Sequence, residues 1–347
     1  MYKTEFEILT QYQALRKTYE RMMEKQNEIV DFFANTKLRS LTYIGSGSSY
    51  SLSKSAALSA KMKLHIETNA IAAGDLLVNF EMYRHILKDT VIVSTSRSGN
   101  TSEAVMSIKL AKEKLNVPCI SLCANVSSDI AQLADFNFEF PWAFDESVCQ
   151  TRCITNFYMA NLMLLAIAAK DKSLLNEIDI AISEGNAFIE KNKPIMKEIA
   201  ENGCWNKAVV LADGELEGIA EEGALAFNEI SQLPSHYYHV LDVRHGPVVL
   251  IDSKTLVIMV TSPAERLYQS QLVTDLKNKG AKVVVVSEQT ENIWNADYHI
   301  PVSCFQNFSV TGIPFIFVPQ AVSLYKALYT GINPDVPDGL DPWITLE

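Results

Sequence analysis

Short runs of apolar residues alternate along this chain with stretches of helical spacing. Residues 41–44 and 91–93 are two such runs, and each is followed by a turn of small polar residues and then by a helical pattern. Apolar runs of this length, bounded by turn residues and separated by helices, are typical of buried parallel strands. The pattern therefore predicts an α/β fold in which parallel sheets are flanked by helices in three layers.

Longer helical patterns surround the strand-rich parts of the chain. The spacing predicts one long helix at 4–33, a strongly apolar helix at 154–169 and an amphipathic helix at 174–199. An apolar helix at 318–329 ends the last strand-rich part. The predicted organisation is an N-terminal helix at 1–35, a first α/β unit at 36–165, a helical connection at 166–200, a second α/β unit at 201–330 and an extended tail at 331–347.

The two α/β units are related by an internal repeat. Short segments recur at offsets between 162 and 167 residues, namely 44–47 and 211–214, 95–96 and 261–262, and 134–135 and 296–297. A nearly constant offset indicates that one supersecondary unit has been used twice. We therefore expect two parallel sheets of the same kind.

The turn that follows the apolar run 91–93 is rich in hydroxyl groups. It reads STSRSGNTSEA from residue 94 to 104. Free N–H groups at the start of the next helix, the positive end of its dipole and the hydroxyls of Ser96, Ser98 and Thr101 can converge on one anion. An ordinary serine-rich helix cap is the alternative. The run 41–44 ends in a similar turn, and both turns are expected at the carboxyl edge of one parallel sheet, where ligands collect.

Other phosphate-binding motifs fit these turns poorly. A Gly-x-Gly turn also begins the dinucleotide-binding fingerprint, and Glu67 lies at a suitable distance to hold a ribose. That fingerprint requires a third glycine, and Tyr50 stands in its place. In the second repeat the corresponding turn reads Ser262, Pro263, Ala264, Glu265, Arg266, without the glycine and the convergent hydroxyls. We therefore expect only the first unit to bind phosphate.

The two serine-rich turns carry a family resemblance. GSGSSYSLSKSA and STSRSGNTSEAV resemble, in order and spacing, the paired motifs of the sugar isomerase (SIS) domain family. The resemblance implies a double-SIS protein whose motifs hold the phosphate of a sugar phosphate. Residue by residue, it assigns phosphate binding to Gly47, Ser48, Ser49, Ser96, Arg97, Ser98 and Thr101.

Two residues of the second half are candidates for catalysis. Glu229 lies in the helical pattern EGALAFNE and His245 in the turn RHGP. By themselves they read as a solvated helix carboxylate and an ordinary turn histidine. Both motifs resemble those of the isomerase half of glucosamine-6-phosphate synthase and its deglycase relatives. The resemblance implies that Glu229 transfers protons between C1 and C2, that His245 opens the sugar ring or protonates a leaving group, and that a homodimer or larger assembly shares its sites.

The departures from that synthase narrow the predicted reaction. Ala226 and Pro342 stand where the synthase has lysines, one of which forms an imine with the ketose. A fructosamine-6-phosphate deglycase needs no such lysine, because its substrate already carries nitrogen at C1. We therefore expect a deglycase, with an aldose–ketose isomerase or an amino sugar phosphate deaminase as the alternative and a non-catalytic sugar-phosphate sensor as a second one. The sequence leaves the group attached at C1 or C2 open.

Composition sets the remaining limits. The chain has 347 residues, 48% of them hydrophobic, which is enough to bury two cores of ordinary domain size. Its formal net charge of −11 argues against nucleic acid as a partner, because phosphate backbones require a basic surface. The polar N-terminus and the absence of a long apolar run predict a cytoplasmic protein without a membrane partner. We expect no metal and no cofactor.

Overall fold

The computed structural model describes residues 1–36, 38–264 and 266–346. Glu265, one of the residues that replace the phosphate turn in the second repeat, lies outside these ranges. The described chain forms two five-stranded sheets in which every strand pair is parallel. The predicted α/β class with two parallel sheets is therefore confirmed.

The strands follow the predicted apolar runs and extend them by a residue or more. The first sheet contains β1 Ser40–Gly45, β2 Glu67–Ala72, β3 Thr90–Ser96, β4 Cys119–Cys123 and β5 Phe136–Glu139, and the second contains β6 Lys207–Leu211, β7 Ser235–Tyr238, β8 Thr255–Val260, β9 Lys282–Ser287 and β10 Tyr298–Pro301. Their spatial orders are β2-β1-β3-β4-β5 and β10-β9-β8-β6-β7. The second order, read from its other edge, repeats the first, as the internal repeat predicts.

Helices cover both faces of the sheets. They are α1 Lys3–Glu24, α2 Gln26–Asn35, α3 Ser48–Leu64, α4 Ala73–Val78, α5 Phe80–Leu87, α6 Ser102–Leu115, α7 Asp129–Leu133, α8 Arg152–Ala168, α9 Lys172–Glu201, α10 Glu217–Glu229, α11 Arg266–Asn278, α12 Gly312–Phe315 and α13 Phe317–Thr330. The central strands β1, β3 and β8 are buried along their whole length, which explains why apolar residues occur on both faces of each strand.

One hydrophobic core joins the two units. It contains Phe138 from β5 and Phe227 from α10, together with most of α8. Because α8 is buried on all sides between Cys153 and Ile167, its sequence is apolar without a polar face. The two sheets therefore pack against shared helices and belong to one continuous core.

The N-terminal helix differs from the prediction. The predicted single helix at 4–33 is broken at Lys25, where the backbone adopts φ −92° and ψ 7°. Beyond the break, α2 brings Phe32 onto Phe136 of β5, with the ring centroids 5.5 Å apart. The bend thus follows the edge of the first sheet, a tertiary constraint that helical spacing does not contain.

One segment has the length and composition of a membrane span. The stretch Phe308–Thr330 contains an 18-residue window with a mean hydropathy of 1.4, but 94% of that window is buried inside the protein. A helix buried to this degree packs in the core, and an apolar sequence is what the core requires. The cytoplasmic location stays a prediction from the sequence.

A close crossing of α3 and α10 fixes the second unit against the first. A Cβ atom on Gly218 would lie 1.8 Å from the backbone oxygen of Ser51. Next to it, the Ser55 hydroxyl accepts a hydrogen bond of 3.1 Å from the N–H of Ile219. Only glycine permits this approach, so the crossing depends on one residue of α10.

We expect Gly218→Ala to lower the free energy of unfolding by about 1–3 kcal/mol or more, because the added methyl overlaps backbone atoms that cannot move independently. Urea denaturation followed by circular dichroism measures this change. Gly74→Ala is the matched control, since a Cβ on Gly74 meets only the Glu103 side chain, at 3.8 Å. Equal stability of the two variants would contradict the proposed close packing.

Candidate active site

The two serine-rich turns meet at the middle of the first sheet. β1 and β3 are neighbours, with Ile44 opposite Ser94. After β1 the chain crosses to β2 on one side, and after β3 it crosses to β4 on the other side. Such a reversal of direction opens a crevice at the carboxyl ends of the strands, where α/β proteins bind ligands. Both turns open into this crevice.

We call the turns 45–49 and 95–101 the serine cradle. The cradle encloses a small cavity lined by Gly45, Ser46, Ser49, Thr95, Ser96, Arg97, Ser98, Thr101, Ala104, Gln150 and Pro342. Ser49, Ser96, Arg97, Ser98 and Thr101, all predicted to bind phosphate, are among these residues. Gly47 and Ser48 lie beside the cavity, Gly47 with a φ of +53° and Ser48 as the first residue of α3.

The geometry of the second turn leaves its hydroxyl protons available. The Ser96 oxygen accepts a hydrogen bond of 2.9 Å from the N–H of Gly99, and the Ser98 oxygen accepts one of 3.2 Å from Asn100. Gly99 has a φ of +64°, and a Cβ there would lie 2.2 Å from Ser128. Because both serine oxygens act as acceptors within the turn, their O–H groups can donate to an anion in the cavity.

Arg97 is held differently from the serines. Its Nη1 donates to the carbonyl oxygens of Ser147 at 2.8 Å and Val148 at 2.9 Å, and its Nη2 donates to that of Pro342 at 2.7 Å. The side chain is buried. The guanidinium therefore connects the cradle to the loop before α8 and to the C-terminal tail. Its prediction as a phosphate ligand stays a prediction.

Glu229 ends α10 in the second unit and faces residues of the first. Burial raises the pKa of its carboxyl to about 7, and the charge of Arg97 and the thiol of Cys149 limit the rise. The side chain lines a cavity of 580 Å³, together with Leu225, Asn228, Gln232, Leu233, Pro234, Pro337, Asp338 and Leu340. A carboxylate with a pKa near neutrality can both accept and return a proton, as general acid–base catalysis requires.

His245 lies on the protein surface. It is exposed, follows a short 3-10 turn at 242–244 and donates its backbone N–H to Asp242 O at 2.8 Å. It does not line the cavity that contains Glu229. Close to it in sequence, Val249 and Leu250 are 77% and 60% exposed. The structure thus leaves the histidine on a surface that also carries apolar side chains.

The sequence did not single out Glu222, which is almost fully buried. Burial and the nearby Glu229 raise its pKa well above the usual value, and the Ser48 hydroxyl opposes the rise. The adjacent Glu221 instead forms an ion pair of 2.8 Å with Lys54. Glu222 and Glu229 are seven residues apart and so share one face of α10. That seven-residue spacing was the feature of the sequence that could have identified Glu222 as a neighbour of Glu229.

In the second repeat, polar groups of the turn after β8 form hydrogen bonds with one another and with Gln269. After β8, the Gln269 side chain accepts a hydrogen bond from the N–H of Ser262 at 3.1 Å and donates to the Ala264 carbonyl at 2.6 Å. The Ser262 hydroxyl donates to Ala264 O at 3.2 Å. These groups satisfy one another, so the residues of this turn that the structure describes offer an anion fewer free donors than the serine cradle does.

Metal binding has little support in the described part of the chain. No group of three or more His, Cys, Asp or Glu side chains is arranged there to hold an ion. His239 pairs instead with Asp213 at 3.2 Å and with the Tyr237 hydroxyl at 3.1 Å. A site without metal or cofactor stays a prediction.

Comparison with known proteins identifies relatives of the whole fold. The family profile described as "SIS domain" matches residues 36–168 and 203–310. The D-galactosamine-6-phosphate deaminase AgaS of Shewanella sp. is 28% identical over 286 residues, which cover 78% of this chain and 69% of that protein. Glutamine–fructose-6-phosphate aminotransferase of Haemophilus influenzae is 24% identical and aligns with 98% of this chain, which spans 58% of that protein.

Solved structures agree with this assignment. Tagatose-6-phosphate ketose/aldose isomerase from Escherichia coli superposes with a TM-score of 0.84 at 22% identity, covering 99% of this chain and 96% of the isomerase. Glucosamine-6-phosphate deaminase from Thermotoga maritima superposes with a TM-score of 0.78 at 25% identity, covering 95% and 100% of the two chains. The predicted resemblance is confirmed, and these relatives support the prediction of an enzyme. The chain belongs to the SIS domain family and carries one SIS unit in each half.

Proposed function

We propose that this protein is a phosphosugar-converting enzyme that transfers a proton between C1 and C2 of a 6-phosphorylated ketose derivative. The observation that carries the proposal is the position of Glu229. Its carboxyl has a pKa raised to about 7 and lies on the second unit, yet Arg97 and Cys149 of the first unit are its neighbours. A proton carrier therefore faces the serine cradle across the boundary between the two units.

The serine cradle is the proposed phosphate site. Ser49, Ser96, Ser98 and Thr101 present hydroxyls to its cavity, and no lysine of the described residues lines it. A hydrogen bond to a charged group contributes about 1.5–3 kcal/mol. Four such bonds therefore approach the roughly 8 kcal/mol that corresponds to micromolar affinity. Gly47 and Ser48 contribute by placing the start of α3 beside the anion.

The favoured reaction is the cleavage of a ketoamine. The Glu229 carboxylate takes a proton from C1, and the electron pair moves into the C1–C2 bond while the C2 carbonyl oxygen takes a proton from water. The resulting enaminol accepts the proton back from Glu229 at C2, and its C2 hydroxyl remains. Water then adds to the C1 imine and releases an amine and an aldose 6-phosphate. His245 supplies the proton that the leaving amine requires.

Two features favour a ketoamine over a simple ketose. The 580 Å³ cavity beside Glu229 is much larger than the cavity of the cradle, so it has room for a group attached at C1. Pro342 lines the cradle where the resemblance would place a lysine. Because this position lacks an amine to form an imine with the ketose, the substrate has to bring its own nitrogen.

Deamination of an amino sugar phosphate is the second candidate. The 28% identity to a D-galactosamine-6-phosphate deaminase favours it, since the aligned part covers 69% of that enzyme. Incubation with 6-phosphorylated ketoamines, amino sugars and ketoses, followed by mass spectrometry of the products, separates the candidates. Release of an intact amine from a ketoamine supports the deglycase, whereas release of ammonia from an amino sugar alone would replace it with the deaminase.

We expect Ser96→Ala combined with Ser98→Ala to weaken sugar-phosphate binding by about 2–4 kcal/mol, because two hydrogen bonds to a charged group are lost. Isothermal titration calorimetry measures this loss. Ser262→Ala is the matched control in the second repeat and should change the affinity little. If all three serines matter equally, phosphate binding is not confined to the first unit.

We expect Glu229→Gln to abolish turnover and to leave binding nearly intact, because the amide keeps the shape of the side chain but cannot accept the carbon-bound proton. Since the carboxylate has to be ionised, wild-type kcat/KM should rise with pH through about 7. Exchange of the C1 hydrogen with deuterated water is the decisive measurement. Exchange at the wild-type rate in the variant would exclude Glu229 as the proton carrier.

We expect a homodimer in which His245 of one subunit serves the Glu229 site of its partner. Glu229→Gln and His245→Ala proteins should each be inactive on a ketoamine. Refolded together in equal amounts, they should regain about one quarter of the wild-type activity, because half of the dimers carry one intact site. A monomeric mass in light scattering with full activity, or no recovery on mixing, would contradict shared sites.

A further inference from the structure

We infer that Arg97 is a positioning residue that holds the C-terminal segment closed over the substrate site. The segment is residues 331–346, called the strap below. The inference rests on the proposed function, because it assigns a role to a wall of the proposed site. It differs from the role that the motif alone predicts for Arg97, which is direct contact with phosphate.

The contacts of Arg97 are directed at three backbone carbonyls on two separate segments. Two belong to the loop before α8, at Ser147 and Val148, and the third belongs to Pro342 of the strap. The side chain is only 3% exposed. A planar guanidinium has five donors in a fixed fork that reaches acceptors on separate segments, whereas the three donors of a lysine ammonium share one nitrogen and lack that planar arrangement.

The strap is anchored on both sides of Pro342. At its start, the Asp335 carboxylate accepts hydrogen bonds from the N–H groups of Lys3 at 2.9 Å and Thr4 at 2.8 Å. At its end, the Ile344 carbonyl accepts a bond of 3.3 Å from the N–H of Ser102, the first residue of α6. The N–H of Leu346 donates to the Ser102 hydroxyl at 3.1 Å. The strap therefore crosses the crevice from α1 to the start of α6.

Both cavities of the proposed site use the strap as a wall. Pro342 lines the cavity of the serine cradle, and Pro337, Asp338 and Leu340 line the cavity that contains Glu229. By walling one side of these cavities the strap limits the access of water to the phosphate and to the base, which strengthens hydrogen bonds to the anion and favours a raised pKa of the carboxyl. The strap thus contributes to binding without a charged donor of its own.

The sequence of the strap explains why an arginine elsewhere is needed. Residues 331–346 contain no lysine or arginine. The strap offers Arg97 a backbone carbonyl at Pro342, a residue that has no N–H to form a sheet-like contact instead. Arg97 of the cradle therefore supplies the cationic donor that the strap itself lacks.

Arg97 also acts on Glu229 through its charge. This effect can be separated from the hydrogen bond between Arg97 and the Pro342 carbonyl of the strap. Its positive charge limits the rise of the Glu229 pKa. Arg97→Lys retains the charge but loses the fork. Arg97→Gln loses both. Comparison of the two variants therefore distinguishes the effect of Arg97 on strap closure from its effect on the Glu229 pKa.

Hydrogen–deuterium exchange and steady-state kinetics test the inference. We expect Arg97→Lys to increase exchange in the peptides that contain Ser102 and Leu346, and to raise KM about tenfold, the order expected for one lost hydrogen bond between a charged donor and a carbonyl. The pH at which kcat/KM rises should stay the same in Arg97→Lys and move upward in Arg97→Gln. Arg16→Lys, on α1 beside Asp179, is the matched control and should change none of these quantities.

A truncated protein that ends at Gly339 completes the test. Without residues 340–347, Arg97→Lys should leave the affinity for inorganic phosphate unchanged, because the Pro342 carbonyl that Arg97 binds is no longer present. If Arg97→Lys weakens phosphate binding equally in the full and truncated proteins, Arg97 contacts the anion directly and the inference is overturned. Unchanged exchange at Ser102 would overturn it as well. Exchange and phosphate binding require no turnover, so these results are independent of whether the proposed reaction is correct.

Discussion

The contact of α10 with α3 is the constraint on which the rest of the site depends. Gly218 lets the two helices approach until a Cβ would lie 1.8 Å from Ser51 O, and Glu222 then falls beside Ser48 at the start of α3. α10 runs antiparallel to α3, so its last residue extends about 10 Å beyond that point, towards the serine cradle. Glu229 lies near Arg97 and Cys149 of the other unit for this reason.

The two repeats differ in the turn that follows the central strand of each sheet. The first keeps a glycine and free hydroxyls at its switch point, whereas the second saturates the equivalent turn with Gln269. A turn whose donors are already satisfied gains little from an anion, because each new hydrogen bond replaces an existing one. The second unit instead supplies a helix that carries acidic residues. One fold thus carries hydroxyl-rich turns in one copy and an acidic helix in the other.

The two carboxyls that α10 carries at the boundary between the units have an electrostatic cost that the structure partly offsets. Burial raises the pKa of both Glu222 and Glu229, and the single charge of Arg97 opposes the rise at Glu229. A full ion pair would have lowered that pKa far below neutrality and removed the ability to return a proton. Arg97 is instead engaged by backbone carbonyls, so it moderates Glu229 without neutralising it.

The sequence by itself determined the two α/β units and the paired turns, because strand periodicity and turn chemistry are local. Glu229 and His245 were predicted only through the resemblance of their motifs to a known family. Tertiary structure decided which carboxylate of α10 is buried, since Glu221 and Glu222 differ only in the helix face that meets α3. It also decided the partners of Arg97, which include a carbonyl 245 positions away in the chain. It left His245 exposed, because contacts between residues distant in sequence are set by packing, which no local pattern encodes.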